Sequence, residues 1–251
     1  MRLNSSKATV HRYLTEELQM KKLLSKWVLH LLTEEQREHR ILTCRNNLEQ
    51  LSKQKSLINR TLAIDETWLS LDMVPQRDQS RTWRKKNENK PEIVRRKNSQ
   101  RKRMLILEMD SQGVVYWKLL GDRETVNSEV YKNFLIELLE VWLPKKGFKS
   151  PIKLQDNARP HKSNLINEFF KEKKIRTWTH PPYSPDISPP DFNCFGQLKR
   201  ILSRSIYTNW RQLQVGLEGA INELNVKGHM NGIEHLPERW NRVIDIEGSY
   251  L

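Results

Sequence analysis

Residues 61–74, TLAIDETWLSLDMV, are almost unbroken in apolar and β-forming residues, with an acidic pair, Asp65 and Glu66, in the middle. Such a run suits a strand covered on both faces. A carboxylate there costs several kcal/mol unless something positive sits beside it. Asp65 therefore needs a reason, and alternation puts Glu66 on the opposite side of the strand.

The segments around this strand fix its setting. RMLILEM and VVYWKLL flank Asp110-Ser111-Gln112-Gly113, a hairpin signature in which Gly113 supplies a positive φ. Residues 125–143 carry Val130, Phe134, Leu138 and Val141 on one helical stripe. PIKLQD then reads as a short buried strand ending at Asp156, and 162–173 as a helix. Residues 175–179 form a strand, HPPYSPDISPP a rigid loop, and 191–203 a further helix. Upstream, Val10, Leu14 and Leu18 mark a short helix over 7–18. Thr33 and Gln36 form a capping box for a helix that reaches about residue 53, with Ile41, Cys44, Leu48 and Leu51 on its face. Three strands followed by helix, strand, helix, strand, helix is the order of a ribonuclease-H-like α/β fold, a mixed sheet with helices on its faces. No internal repeat interrupts it.

Charge narrows the partners. The 251 residues carry 44 Lys and Arg against 30 Asp and Glu, a formal +14, and a polyanion is the natural ligand for that excess. Residues 81–103 alone hold eleven Lys and Arg against Glu88 and Glu92. The run is internal, lies between two strands and includes Trp83, so it reads as a loop clamping phosphates rather than a solvated tail. Its candidate DNA contacts are Arg81, Trp83, Arg84, Lys85, Lys86, Arg95, Arg96, Lys97, Arg101, Lys102 and Arg103, joined by Arg159 and His161 of QDNARPH. Two cysteines, Cys44 and Cys194, are too few for a disulfide framework or a thiolate zinc site. No apolar run approaches the roughly 20 residues of a membrane span, and no basic amphipathic helix supports membrane-surface binding. The chain reads as an intracellular protein without a membrane partner.

The chemistry candidates are acidic residues in this basic chain. Asp65 sits in a strand, Asp156 where a strand ends, a usual ligand position in open α/β sheets, and Asp191 at a helix start after two prolines. Converging, they would bind two divalent cations for in-line phosphoryl transfer. His161 and His180 read as structural or phosphate-facing, and Trp178 and Trp240 as core.

QDNARPH at 155–161, HPPYSPD at 180–186, WVLHLL at 27–32, ETVN at 124–127, GIEHLPERW at 232–240 and GSY at 248–250 resemble the mariner branch of the Tc/mariner DNA transposases, over essentially the whole chain. Between Asp156 and Asp191 lie 34 residues, the spacing of the mariner aspartate triad. The resemblance implies that Asp65, Asp156 and Asp191 are the catalytic, metal-binding aspartates and that Asp186 of YSPD stabilises its loop. It further implies two Mg²⁺ ions with Mn²⁺ as substitute, cleavage of both strands at transposon terminal inverted repeats, and attack of the freed 3′-hydroxyl on a TA target. The basic run, about 75–103, falls where the family has its clamp loop, and 27–33 matches the interdomain linker; both imply a nuclear homodimer on double-stranded DNA. Residues 1–26 then correspond to part of a second helix-turn-helix unit and 34–251 to the catalytic domain. End-specific recognition is expected to be impaired, because base readout needs a rigidly held recognition helix. Departures from the family are Ile64 before Asp65, Leu29 in the linker and SPPD in the third motif; none removes a ligand. The alternative is a catalytically silent DNA-binding relic or domesticated fragment; an RNA-cleaving nuclease of the same fold fits the motifs less well.

Overall fold

The computed structural model describes residues 6–20, 30–71, 102–147, 151–228 and 230–251. The chain divides into a small unit, Met1–Leu31, and a main unit, Leu32–Leu251. In the small unit Ser6 caps α1 (Lys7–Arg12) by accepting from the Thr9 N–H at 3.1 Å. The helical path continues as a π-helical turn, Tyr13–Glu17, so the single helix expected over 7–18 changes its winding midway.

The main unit opens with α2 (Glu34–Lys53). Its capping box is present as read: the Gln36 N–H donates to Thr33 Oγ1 at 3.2 Å and the Thr33 N–H to Gln36 Oε1 at 3.0 Å. A 3₁₀ turn, Lys55–Arg60, leads into β1 (Thr61–Ser70). There follow β2 (Lys102–Asp110), β3 (Gly113–Leu119), α3 (Ser128–Lys146), β4 (Ile152–Leu154), α4 (Asn164–Glu172) and β5 (Arg176–Thr177). Last come α5 (Gly196–Leu202), α6 (Trp210–Val226) and α7 (Leu236–Asp245). The strands lie in the order β3-β2-β1-β4-β5; β1 to β3 run antiparallel, and β4 and β5 run parallel to β1. This is the mixed, helix-flanked sheet expected. The β2–β3 turn needs its glycine: Gly113 has φ 139°, and a Cβ there would lie 2.3 Å from Asn225 Oδ1. Asn225 of α6 clasps the hairpin, accepting from the Val114 N–H and donating to its carbonyl, both at 2.9 Å.

Strand alternation gives the sheet two apolar faces. Leu62, Ile64 and Ile106 pack under Phe134, Leu138 and Trp142 of α3 and Ile166 and Phe169 of α4. Ala63, Leu69, Leu105 and Leu107 pack under α2, α5, α6 and α7, where the rings of Trp178 and Trp240 lie 5.4 Å apart. Each fully buried large side chain contributes about 1.5–3 kcal/mol. A fully buried ion pair interrupts the apolar α3 face. Glu108 of β2 and Lys153 of β4 meet at 2.5 Å across β1, both essentially inaccessible. Burial pushes Glu108 up to about 7 and lowers Lys153, each opposed by its partner.

One expected element is built differently. Residues 190–195 form a π-helical turn, Pro190–Phe195, and only from Gly196 does the α-helix begin. Pro189 and Pro190 suit the start of a helical segment, where their missing N–H groups would have no intrahelical partner, and the π-helical turn they open carries Asp191.

Candidate active site

Asp65 projects from β1 on the face opposite Glu66, toward the turn that bears Asp191. Its Oδ1 accepts from the Glu66 N–H at 2.8 Å and its Oδ2 from the Ser188 hydroxyl at 3.1 Å. The Asp65 and Asp191 carboxyls are themselves in hydrogen-bonding contact. Two segments more than 120 residues apart in sequence therefore present their acids to each other. Burial, then the neighbouring Asp191, holds Asp65 well above the usual carboxylate range. Burial likewise raises Asp191, with the Asp65 hydrogen bond and the Lys199 ammonium working against it. Lys199, about two turns further along the helical segment, donates to Thr67 Oγ1 at 2.6 Å and so stands beside the pair.

Asp156 lies two residues beyond the end of β4, the neighbour of β1. Its Oδ1 accepts from the Ala158 N–H at 2.9 Å and faces His161 Nδ1 at 2.8 Å. The other ring nitrogen of His161 lies 3.2 Å from Glu66 Oε1. Burial alone would raise Asp156, but the hydrogen bonds from His161 and Ala158 prevail and hold it below its ordinary value. Burial would lower His161; its two carboxylate partners instead bring it up to about 9. The Asp156 side chain remains half exposed.

These acids have the chemistry of a site for a hard divalent cation. Two carboxyls in contact cannot ionise together without cost, so the pair shares a proton or takes up a cation, and carboxylate oxygen is the donor that Mg²⁺ and Mn²⁺ prefer. Asp156 is near enough for its charge to raise Asp191 further. Among the described residues, however, no three His, Cys, Asp or Glu side chains are gathered tightly enough to hold one ion. The arrangement is a close Asp65–Asp191 pair with Asp156 alongside.

Other expected residues fall elsewhere. His161 does not face a phosphate: it is 2% exposed, packs against the tilted ring of Tyr131 with centroids 4.3 Å apart, and has both ring nitrogens engaged. His180 is structural, buried and pushed down to about 4 by that burial. Asp186 pairs with buried Arg40, as a loop-stabilising residue should; Arg40 also donates to the Gly248 carbonyl and Ser184. Arg103 is engaged within the protein rather than offered to DNA, paired with Asp122 at 2.8 Å and lying 4.7 Å over the Trp210 ring. Lys102 and Arg159 are exposed. The basic residues from Arg81 to Arg101, with Trp83, lie outside the described residues, as does the first half of the WVLHLL linker, residues 27–29.

Sequence reasoning left Ser188, Lys199 and Glu66 without roles. The signal for Lys199 was its spacing of eight from Asp191, close to two helical turns. For Ser188 and Glu66 there was none beyond proximity in sequence to Asp191 and Asp65.

The chain is similar to known proteins in sequence and in fold. A family model described as transposase (partial DDE domain) matches residues 73–147. The histone-lysine N-methyltransferase SETMAR of Homo sapiens is 29% identical over 258 residues, and the mariner Mos1 transposase of Drosophila mauritiana 29% over 254. Each alignment takes in 99% of this chain, which spans 36% of the first protein's length and 72% of the second's. Among solved structures, the mariner Mos1 paired-end complex with Mg superposes with a TM-score of 0.84 at 27% identity, covering 98% of this chain and 72% of that one. The isolated catalytic domain of Mos1 gives 0.72 at 26% identity, covering 90% of this chain and all of that one.

Proposed function

Because this chain is related to the mariner-type transposases, we propose that it cleaves DNA strands at transposon ends and joins the freed 3′-hydroxyl to a TA target. The reaction is in-line phosphoryl transfer with two Mg²⁺ ions, or Mn²⁺, held by Asp65, Asp156 and Asp191. The single observation that carries this reading is the contact between the Asp65 and Asp191 carboxyls with Asp156 beside them. Those ions, when bound, activate the attacking water or 3′-hydroxyl and neutralise charge on the leaving oxygen. The chain's own residues prepare the ground. The Glu66 N–H and Ser188 hydroxyl fix the Asp65 carboxyl, while Lys199 supplies a fixed positive charge beside Asp191. Half-exposed Asp156 opens the site toward a bound strand. The basic segment from Arg81 to Lys102 is the clamp that holds the DNA backbone, and the protein works as a homodimer in the nucleus.

Nicking of supercoiled plasmid by the purified chain in Mg²⁺, Mn²⁺ or EDTA, beside Asp156→Asn, tests the proposal. Metal-dependent nicking that vanishes in the variant is expected. Plasmid bound but intact in every metal would overturn the chemistry and leave a DNA-binding protein.

A further inference from the structure

His161 does something that a buried core histidine does not. It joins a carboxylate on one face of the sheet to one at the edge of the site: Nδ1 lies 2.8 Å from Asp156 Oδ1 and Nε2 lies 3.2 Å from Glu66 Oε1. Its ring is inaccessible and clamped. The Tyr131 ring of α3 packs against it, tilted by 43° with centroids 4.3 Å apart, and the Tyr131 hydroxyl donates to Gln155, the residue before Asp156. Gln155 in turn donates to the His161 carbonyl at 3.3 Å, closing the segment on itself. The described hydrogen bonds to Asp156, from His161 and from the Ala158 N–H, both fall on Oδ1. Oδ2 is left as the oxygen available to a cation. Glu66, only 16% exposed, has its back to the site, since its strand neighbour Asp65 occupies the other face.

We propose that His161 is a positioning residue for Asp156, oriented by Glu66 from across the sheet, so that Glu66, His161 and Asp156 act in series to aim Oδ2 at the metal site. This rests on the metal-site reading above. A half-exposed aspartate just past a strand end would otherwise sample several rotamers, and fixing one removes that entropy before the ion arrives. Tyr131 packs on the ring, Gln155 ties down the His161 backbone, and Glu66 fixes the ring's rotation through Nε2.

The test is Mn²⁺ binding to the full chain by isothermal titration, without DNA. Binding to the wild-type chain, and its loss in Asp65→Asn, reports on the metal site itself; no binding to the wild-type chain refutes that reading and this one with it. Given binding, His161→Phe keeps an aromatic ring packed on Tyr131 but removes both hydrogen bonds and should weaken Mn²⁺ by about 10–100-fold, the usual cost of losing a ligand's supporting partner. His161→Gln, whose amide can donate to Asp156, should recover part of that loss, which a merely structural histidine would not allow. Glu66→Gln should weaken binding in the wild-type background and do nothing further in His161→Phe. Thermal melts of each variant without metal check folding. Unchanged Mn²⁺ affinity in a folded His161→Phe, or a Glu66→Gln effect that persists undiminished in that background, overturns the proposal.

Discussion

Replacing Asp186 by Asn should unfold the protein far more readily than replacing Asp191 by Asn, although both aspartates sit in the same SPDISPPD segment. Arg40 is completely inaccessible, and Asp186 is only 10% exposed. Two guanidinium nitrogens reach the two carboxylate oxygens at 2.9 and 2.6 Å, and Asp186 Oδ2 also accepts from the Leu251 N–H at 3.0 Å. Asn keeps the shape but sets an NH₂ group against the guanidinium and leaves a buried cation without its counter-charge. Breaking a buried pair in this way costs about 3–5 kcal/mol, and at this chain length each kcal/mol moves Tm by about 2–4 °C, giving a fall of roughly 6–20 °C. Asp191→Asn instead relieves the contact between two carboxyls, so in EDTA its Tm should stay level or rise. Circular-dichroism melts at pH 7 in EDTA read both variants. A shift below about 2 °C for Asp186→Asn would refute the reasoning, and loss of metal-dependent nicking without a stability change would make Asp186 a ligand instead of a strut.

His180 is buried neutral, with its pKa down to about 4 from an ordinary 6.5. Its contribution is therefore present above pH 6.5 and lost as pH falls through about 4, so between pH 7 and 4 the wild type should lose about 3 kcal/mol more in urea titrations than His180→Gln does; parallel curves would contradict this. Lys199 works against the raised pKa of Asp191, so in metal-free Lys199→Met the Asp191 carboxyl should titrate higher still, read from its ¹³C shift; an unchanged or lower value would remove Lys199 from the site.

Much of the fold was legible because its signals are local. Thr33 and Gln36 three residues apart gave a helix start, and Asp110-Ser111-Gln112-Gly113 a two-residue hairpin, with both ends where the sequence put them. Asp65 was legible as an anomaly, a charge in an apolar strand. The same logic applied to Glu108 in RMLILEM and Lys153 in PIKL would have paired them, since each is a lone charge in a buried run and their signs are opposite. What stayed hidden depends on tertiary placement. His161 read as structural or phosphate-facing because it lies beside Arg159 and near a candidate catalytic residue, and only the fold shows Tyr131 and Glu66 closing over it. Arg103 belonged to a basic run until the chain brought Asp122 and Trp210 to it. The π-helical winding of Pro190–Phe195 was hidden too, because two prolines at a helix start are equally compatible with an ordinary α-helical first turn.

The most direct test of the central claim is an anomalous-difference map from crystals grown with Mn²⁺ and a DNA duplex. The account predicts two Mn²⁺ peaks, about 3.5–4 Å apart, ligated by Asp65, Asp156 and Asp191, with Asp156 using Oδ2. Peaks ligated elsewhere, or none at saturating Mn²⁺ with DNA in place, would contradict it.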